Sequence, residues 1–88
     1  MKRIEFTSQY RRDAKRVFKR GKDFRKADAV IEMLQRGERL PAKYREHALK
    51  GEFAGVRDCH IEPDWLLLYE ITDEAIKLYR TGSHSDLF

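Results

Sequence analysis

His47, His60, Asp64, Arg80 and His84 are the residues with which this 88-residue chain could do chemistry, and all of them fall in its second half. Histidine titrates near neutrality, so two imidazoles, or one with a carboxylate, can accept and donate a proton in one reaction. Arginine offers a permanently charged planar fork to phosphate oxygens, and Arg80 would stabilise extra negative charge on a phosphorus centre. RNA brings its own nucleophile, the 2′-hydroxyl; a base need only deprotonate it while an acid protonates the departing 5′-oxygen. That reaction requires no metal. The histidine spacings of 13 and 24 residues match no local zinc pattern, and Cys59 beside His60 would point to the other face of a strand. The plainer reading, in which His60 and Asp64 are turn residues bonded to the backbone, stands beside this one.

The elements that must position these residues follow from hydrophobic period. Lys2 to Thr7 alternates, with Ile4 and Phe6 on one face, as a half-buried strand does. Ser8 can cap a helix whose apolar stripe is Tyr10, Ala14, Val17 and Phe18, stopped at Gly21. Asp23 can cap a second helix with Phe24, Ala27, Val30, Ile31 and Leu34 on one face, ended by Gly37. The run GERLPAKYREHA has neither period, and Pro41 makes it an extended loop that would contain His47. LKGEF, GVRDCHI, WLLLYEI and AIKLYRTG then read as strands joined by short turns. The order predicts an α+β fold: an N-terminal strand and a two-helix hairpin packed on one face of an antiparallel β-sheet. Convergence of the histidines is plausible because neighbouring strand ends lie only about 5 Å apart.

Composition bounds the partners. The net charge is +4, yet Met1 to Lys26 holds 11 Lys and Arg against 3 Asp and Glu, so the positive charge is concentrated in the helices. Such a cluster attracts polyanions, whereas its bland reading is a solvated helix face. The single cysteine, Cys59, permits no intrachain disulfide and suits a core position. WLLLY is too short to cross a bilayer and no apolar stretch of signal-peptide length opens the chain, so a single cytoplasmic domain over residues 1–88, with no membrane partner, is expected. Trp65 shares a strand face with Leu67, Tyr69 and Ile71 and defaults to the core. Phe88 could stack on an unpaired base or latch the last residues to the domain.

YREHALKGEF, GVRDCHIEPDWLLLYEI and YRTGSHSDLF, in that order after a basic helix pair, resemble the YafQ-type branch of the RelE/ParE superfamily of bacterial toxins. The similarity runs over essentially the whole chain, and H-x-E-P-D-W followed by R-T-G-[ST]-H is its most specific part. It implies a microbial-ribonuclease-like α+β fold, endoribonuclease cleavage of mRNA on the translating ribosome, no cofactor, and a cognate DNA-binding antitoxin that covers the toxin. By the same resemblance the active-site positions fall on His47, His60, Asp64, Arg80 and His84, with Trp65 and Phe88 in supporting or substrate-contacting places. His84 and either His47 or Asp64 would form the acid and base, His60 would orient, and Arg80 would hold the phosphate. Arg11, Arg12, Lys15, Arg16, Lys19, Lys22, Arg25 and Lys26 would meet RNA phosphates without reading sequence. A ParE-like poison of DNA gyrase is the alternative from another class, and a non-catalytic RNA-binding module a third; neither needs the histidine, aspartate and arginine set. One local departure is Phe53, where some relatives carry tryptophan.

Overall fold

Alternation and helical spacing translate into β1 (Arg3–Phe6), α1 (Ser8–Lys19) and α2 (Phe24–Gln35) in the computed structural model, which describes residues 1–88. The cap of α1 is Thr7, one residue earlier than expected. Its hydroxyl oxygen accepts from the Tyr10 amide at 2.9 Å and donates to the Tyr79 carbonyl at 2.8 Å, so the cap also ties the helix to the sheet. Asp23 caps α2 as expected, accepting from the Arg25 amide at 3.0 Å. The α1 stripe is rotated from the expected one: Tyr10, Asp13 and Val17 are buried, while Phe18 is 68% exposed. A carboxylate inside the stripe accounts for the rotation, because Asp13 finds its partners only by facing the sheet.

The second half forms β2 (His47–Ala48), β3 (Arg57–Glu62), β4 (Trp65–Ile71), β5 (Ala75–Gly82) and a four-residue helix, α3 (His84–Leu87). β3, β4 and β5 are the expected antiparallel meander, and β1 joins β5 in parallel, giving a mixed sheet of order β1-β5-β4-β3-β2. LKGEF is not a strand. Gly51, at φ 71°, opens a single 3₁₀ turn over Gly51–Phe53, and the Leu49 amide bonds the Val56 carbonyl at 2.9 Å, so the chain doubles back at once. Pairing is left only to the two residues before it, and His47 lies on that edge strand rather than in a loop.

Trp65 to Tyr69 are all buried, which explains the unbroken apolar run: β4 is central and covered on both faces. Trp65, Leu67 and Tyr69 pack under the helices with Val17, Val30, Leu34, Cys59, Ile76 and Leu78. Leu66 and Leu68 form a second, smaller cluster with Leu87 of α3, flanked by Leu49, Phe53, Val56 and Tyr79. Each such side chain contributes about 1.5–3 kcal/mol when fully buried. Leu87 is what presses the C-terminal helix, and with it His84, against the outer face of the sheet.

Candidate active site

Strand direction brings the chemistry together. β3 ends, β4 begins and β5 ends at one edge of the sheet, so Glu62 pairs with Trp65, and Leu66 pairs with both His60 and Gly82. One step further in, His47, Asp58, Leu68 and Arg80 occupy a single cross-strand row over β2, β3, β4 and β5. The outer face therefore carries His60 in one row and His47, Asp58 and Arg80 in the next.

His84 is fixed from three sides. Ser83 and Asp86 form a capping box at the start of α3, and Arg20, at the end of α1, grips Asp86 with contacts of 2.5 and 3.0 Å. Those bonds, the Arg20 guanidinium first, hold the Asp86 carboxyl well below its usual range. From the β3–β4 turn, Asp64 Oδ1 accepts the His84 amide at 2.9 Å and meets its ring Nδ1 at 2.7 Å. The amide bond, then the ring contact, lowers the Asp64 carboxyl, which stays an acceptor. Nδ1 thus carries the proton, and Nε2 is left facing out. The ring lies 5.4 Å from that of His60, centroid to centroid.

His60 and His47 are held in the same manner. His60 Nδ1 stands 3.2 Å from the Pro63 carbonyl and His47 Nδ1 3.2 Å from the Arg45 carbonyl; a carbonyl only accepts, so each Nδ1 donates. All three imidazoles present Nε2 away from their anchors. His47 owes its place to a strained, anchored segment: Arg45 is left-handed, at φ 50°, and the next residue, Glu46, turns inward to accept from the buried Tyr69 hydroxyl and meet Arg57 Nε at 3.3 Å.

Beneath the histidines is a residue the sequence reading passed over. Asp58 is 3% exposed, with Oδ1 3.0 Å from His47 Nδ1 but without an aligned donor. Burial pushes its carboxyl up, while His47, His60 and His84 pull it down through charge. Period-two alternation held the signal: Asp58 and His60 share the face opposite Cys59 and Ile61.

Arg80 shares the row of His47 and Asp58, and its guanidinium grips Asp13, Nε at 2.7 Å and Nη2 at 3.2 Å. Asp13 is 1% exposed. Burial alone would raise its carboxyl, but hydrogen bonds from Arg80, Gln9 and the Thr81 amide outweigh that and leave it lowered. Arg80 therefore stands in a fixed position, with the rest of its donor fork available. Trp65 lies in the core, as its strand face implied: it is 1% exposed, and its indole N–H is committed to Thr81 Oγ1 at 2.8 Å, so of its two expected places the supporting one holds and the substrate-contacting one does not. Phe88 is exposed and stands edge-on to Phe53 at 6.0 Å, a rim aromatic. Cys59 is sealed in the core, its thiol pushed up to about 12 by burial, and has no part in the cluster.

Of the basic residues, Arg12, Lys15, Arg16, Lys19 and Arg20 line one concavity on α1, joined to His84 through the Arg20–Asp86 pair. Arg11 instead lies over the Phe6 ring. Lys22 and Lys26 are both spent on Glu62, at 2.7 Å each, and Arg25 on Asp23 at 2.9 Å. The positive field is therefore narrower than the sequence implied.

A family model described as the bacterial toxin of type II toxin-antitoxin systems, YafQ, matches residues 2–88. The mRNA interferase toxin YafQ of Escherichia coli K12 is 43% identical over 97% of this chain and 94% of its own length. Among solved structures, the E. coli DinJ-YafQ toxin-antitoxin complex superposes with a TM-score of 0.91 at 42% identity, over 99% of this chain and 97% of that one. A copper-bound mutant toxin from Helicobacter pylori reaches a TM-score of 0.95 at 35% identity, with both chains fully covered.

Proposed function

As the chain belongs to the YafQ family of type II toxin-antitoxin toxins, we propose that it is an endoribonuclease that cuts mRNA, and does so on the translating ribosome. A base removes the 2′-hydroxyl proton, the 2′-oxygen attacks phosphorus, the P–O5′ bond breaks, and an acid protonates the leaving 5′-oxygen. The products are a 2′,3′-cyclic phosphate and a 5′-hydroxyl.

The observation that carries this reading is the shared orientation of His47, His60 and His84, each held through Nδ1 with Nε2 outward, over the buried Asp58. His84, oriented through Nδ1 by Asp64, is the acid. His47 is the base, since Asp64 is already taken by His84, and His60 orients the linkage between them. Arg80, locked by Asp13, lends its remaining donors to the phosphate, and Phe88 offers its exposed ring to a base. The α1 concavity supplies nonspecific phosphate contacts to ribosomal RNA. The partner is an antitoxin of the kind that the DinJ-YafQ complex contains, covering this face. A gyrase poison would have no use for the histidine cluster.

The test is end chemistry. Purified protein with programmed ribosomes should leave 5′-hydroxyl and cyclic-phosphate ends, and should spare an mRNA carrying a single 2′-deoxy sugar at the cleavage position. Cutting of the 2′-deoxy message, or gyrase-linked DNA breaks with intact RNA, would overturn the proposal.

A further inference from the structure

Beside the histidine cluster lies a cleft of about 650 Å³ that the proposed chemistry does not use. Its walls come from α2, from the 3₁₀ turn Ala42–Tyr44, and from the end of β3 with Pro63, and His60 is the residue it shares with the reacting cluster. That volume falls within the range of small-ligand sites. Arg25 and Lys26 on the α2 wall are paired with Asp23 and Glu62, whereas Lys43 and Arg45 on the opposite wall meet no carboxylate. The Lys43 ammonium instead sits 5.1 Å from the Tyr44 ring centroid. The cleft thus combines two uncompensated cations with an apolar surface made by Tyr44, Ile61 and Pro63, next to an imidazole of the cluster.

We propose that this cleft is a nucleotide subsite, taking the next nucleotide along the RNA strand beyond the two joined by the scissile linkage. Its phosphate draws the Lys43 ammonium off the Tyr44 ring to lie between Lys43 and Arg45, and its base takes the ring face so freed. The inference rests on the nuclease reading. Three features favour a nucleotide over an acidic peptide: the cations free of carboxylates occupy one wall only, the Tyr44 ring lies beside them, and His60 of the cluster lines the same cleft. Base stacking on an aromatic and a phosphate on a cation are the two contacts a single-stranded nucleic acid makes without base pairing. The left-handed Arg45 links the cleft to the cluster, since its carbonyl holds His47.

The test measures binding of RNA oligomers of two to six nucleotides, each 2′-O-methylated at every sugar so that none is cut, to the full chain by fluorescence anisotropy. In the wild type, affinity should rise about tenfold when the oligomer grows long enough to enter the cleft. Lys43→Glu, on an exposed side chain that touches no core, and Tyr44→Phe/Lys43→Glu, which keeps an aromatic packed on the core, should bind the dinucleotide as the wild type does. Both should lose most of the length-dependent gain, with a salt slope shallower by about 1. Unchanged affinity for the longer oligomers would sink the subsite, as would equal loss for the dinucleotide, which would mean that the cleft only shapes the cluster. Intact oligomer binding with weakened inhibition by the antitoxin would assign the cleft to a peptide instead. Because binding alone is read, failure of the nuclease reading would show separately, as wild-type protein that leaves ribosome-bound mRNA uncut.

Discussion

One oxygen of Asp64 holds His84 twice, accepting its backbone amide at 2.9 Å and facing its ring Nδ1 at 2.7 Å. The first contact fixes where α3 starts and the second fixes the ring, so position and tautomer depend on the same atom. Groups that act as a unit give non-additive losses. His84→Gln should lower the cleavage rate about 10²- to 10⁴-fold, the usual worth of a general acid. Asp64→Ala should lose somewhat less, and the double variant no more than His84→Gln alone. Single-turnover cleavage on programmed ribosomes checks this, and multiplicative losses would show the two residues acting separately.

Asp58 and His47 set stability against function. The Asp58 carboxyl is raised by burial, so the native state resists its ionisation: stability is greatest below the ordinary carboxylate pKa and declines as pH climbs to the raised value. Asp58→Asn removes that penalty. At pH 7 the variant should be more stable by about 1 kcal/mol, a Tm gain of roughly 4–8 °C for a domain of this size. The gain should shrink toward zero near pH 3, where both proteins carry a neutral group. Cleavage should fall at least tenfold over the same substitution, as expected where a charge is kept for function. Thermal melts across pH, beside cleavage at pH 7, measure both halves.

How much of this was legible in the sequence depends on whether a signal was local. The boundaries of α2, β4 and β5 follow from period, cap and turn residues, and the structure returns them as read. The parallel pairing of β1 with β5 was not legible, because strand direction across 70 residues depends on how the helix pair returns the chain. Asp13 and Glu46 carry no local signal; what draws them inward is Arg80 in the one case, and Tyr69 and Arg57 in the other, all distant in sequence. Asp58 is the exception, since its shared face with His60 could have been counted.

Gly82 is the hinge on which α3 is placed. Its φ is 155°, and a Cβ there would stand 2.8 Å from Asp86 Oδ2 and 2.9 Å from Asp86 Cβ. Real Cβ atoms do not come so close, so Gly82→Ala must move Asp86, and Asp86 holds both the cap of α3 and Arg20. The expected outcome is a stability loss of about 1–2 kcal/mol with a larger effect on cleavage, ten- to a hundredfold, because a shift of about 1 Å in His84 is costly. An alanine variant that melts lower yet cuts at full rate would show that α3 does not need its present place.

The α1 concavity makes a separate prediction, because its cations contact no reacting atom. Lys15 and Lys19 carry no ion pair there, unlike Arg16 with Asp13 and Arg20 with Asp86. Substituting Lys15→Glu and Lys19→Glu together therefore changes the field without dismantling a structural contact. Each phosphate contact contributes about 0.7–0.9 to the slope of log affinity against log salt. The double variant should bind ribosomes with a slope shallower by roughly 1–2 and should lose most of its cleavage of translated mRNA at physiological salt. Its single-turnover rate at saturating ribosome concentration should stay near that of the wild type, since Asp64, His84, His60 and His47 are untouched. A fall in that saturated rate, with the salt slope unchanged, would place these lysines in the chemistry rather than in docking.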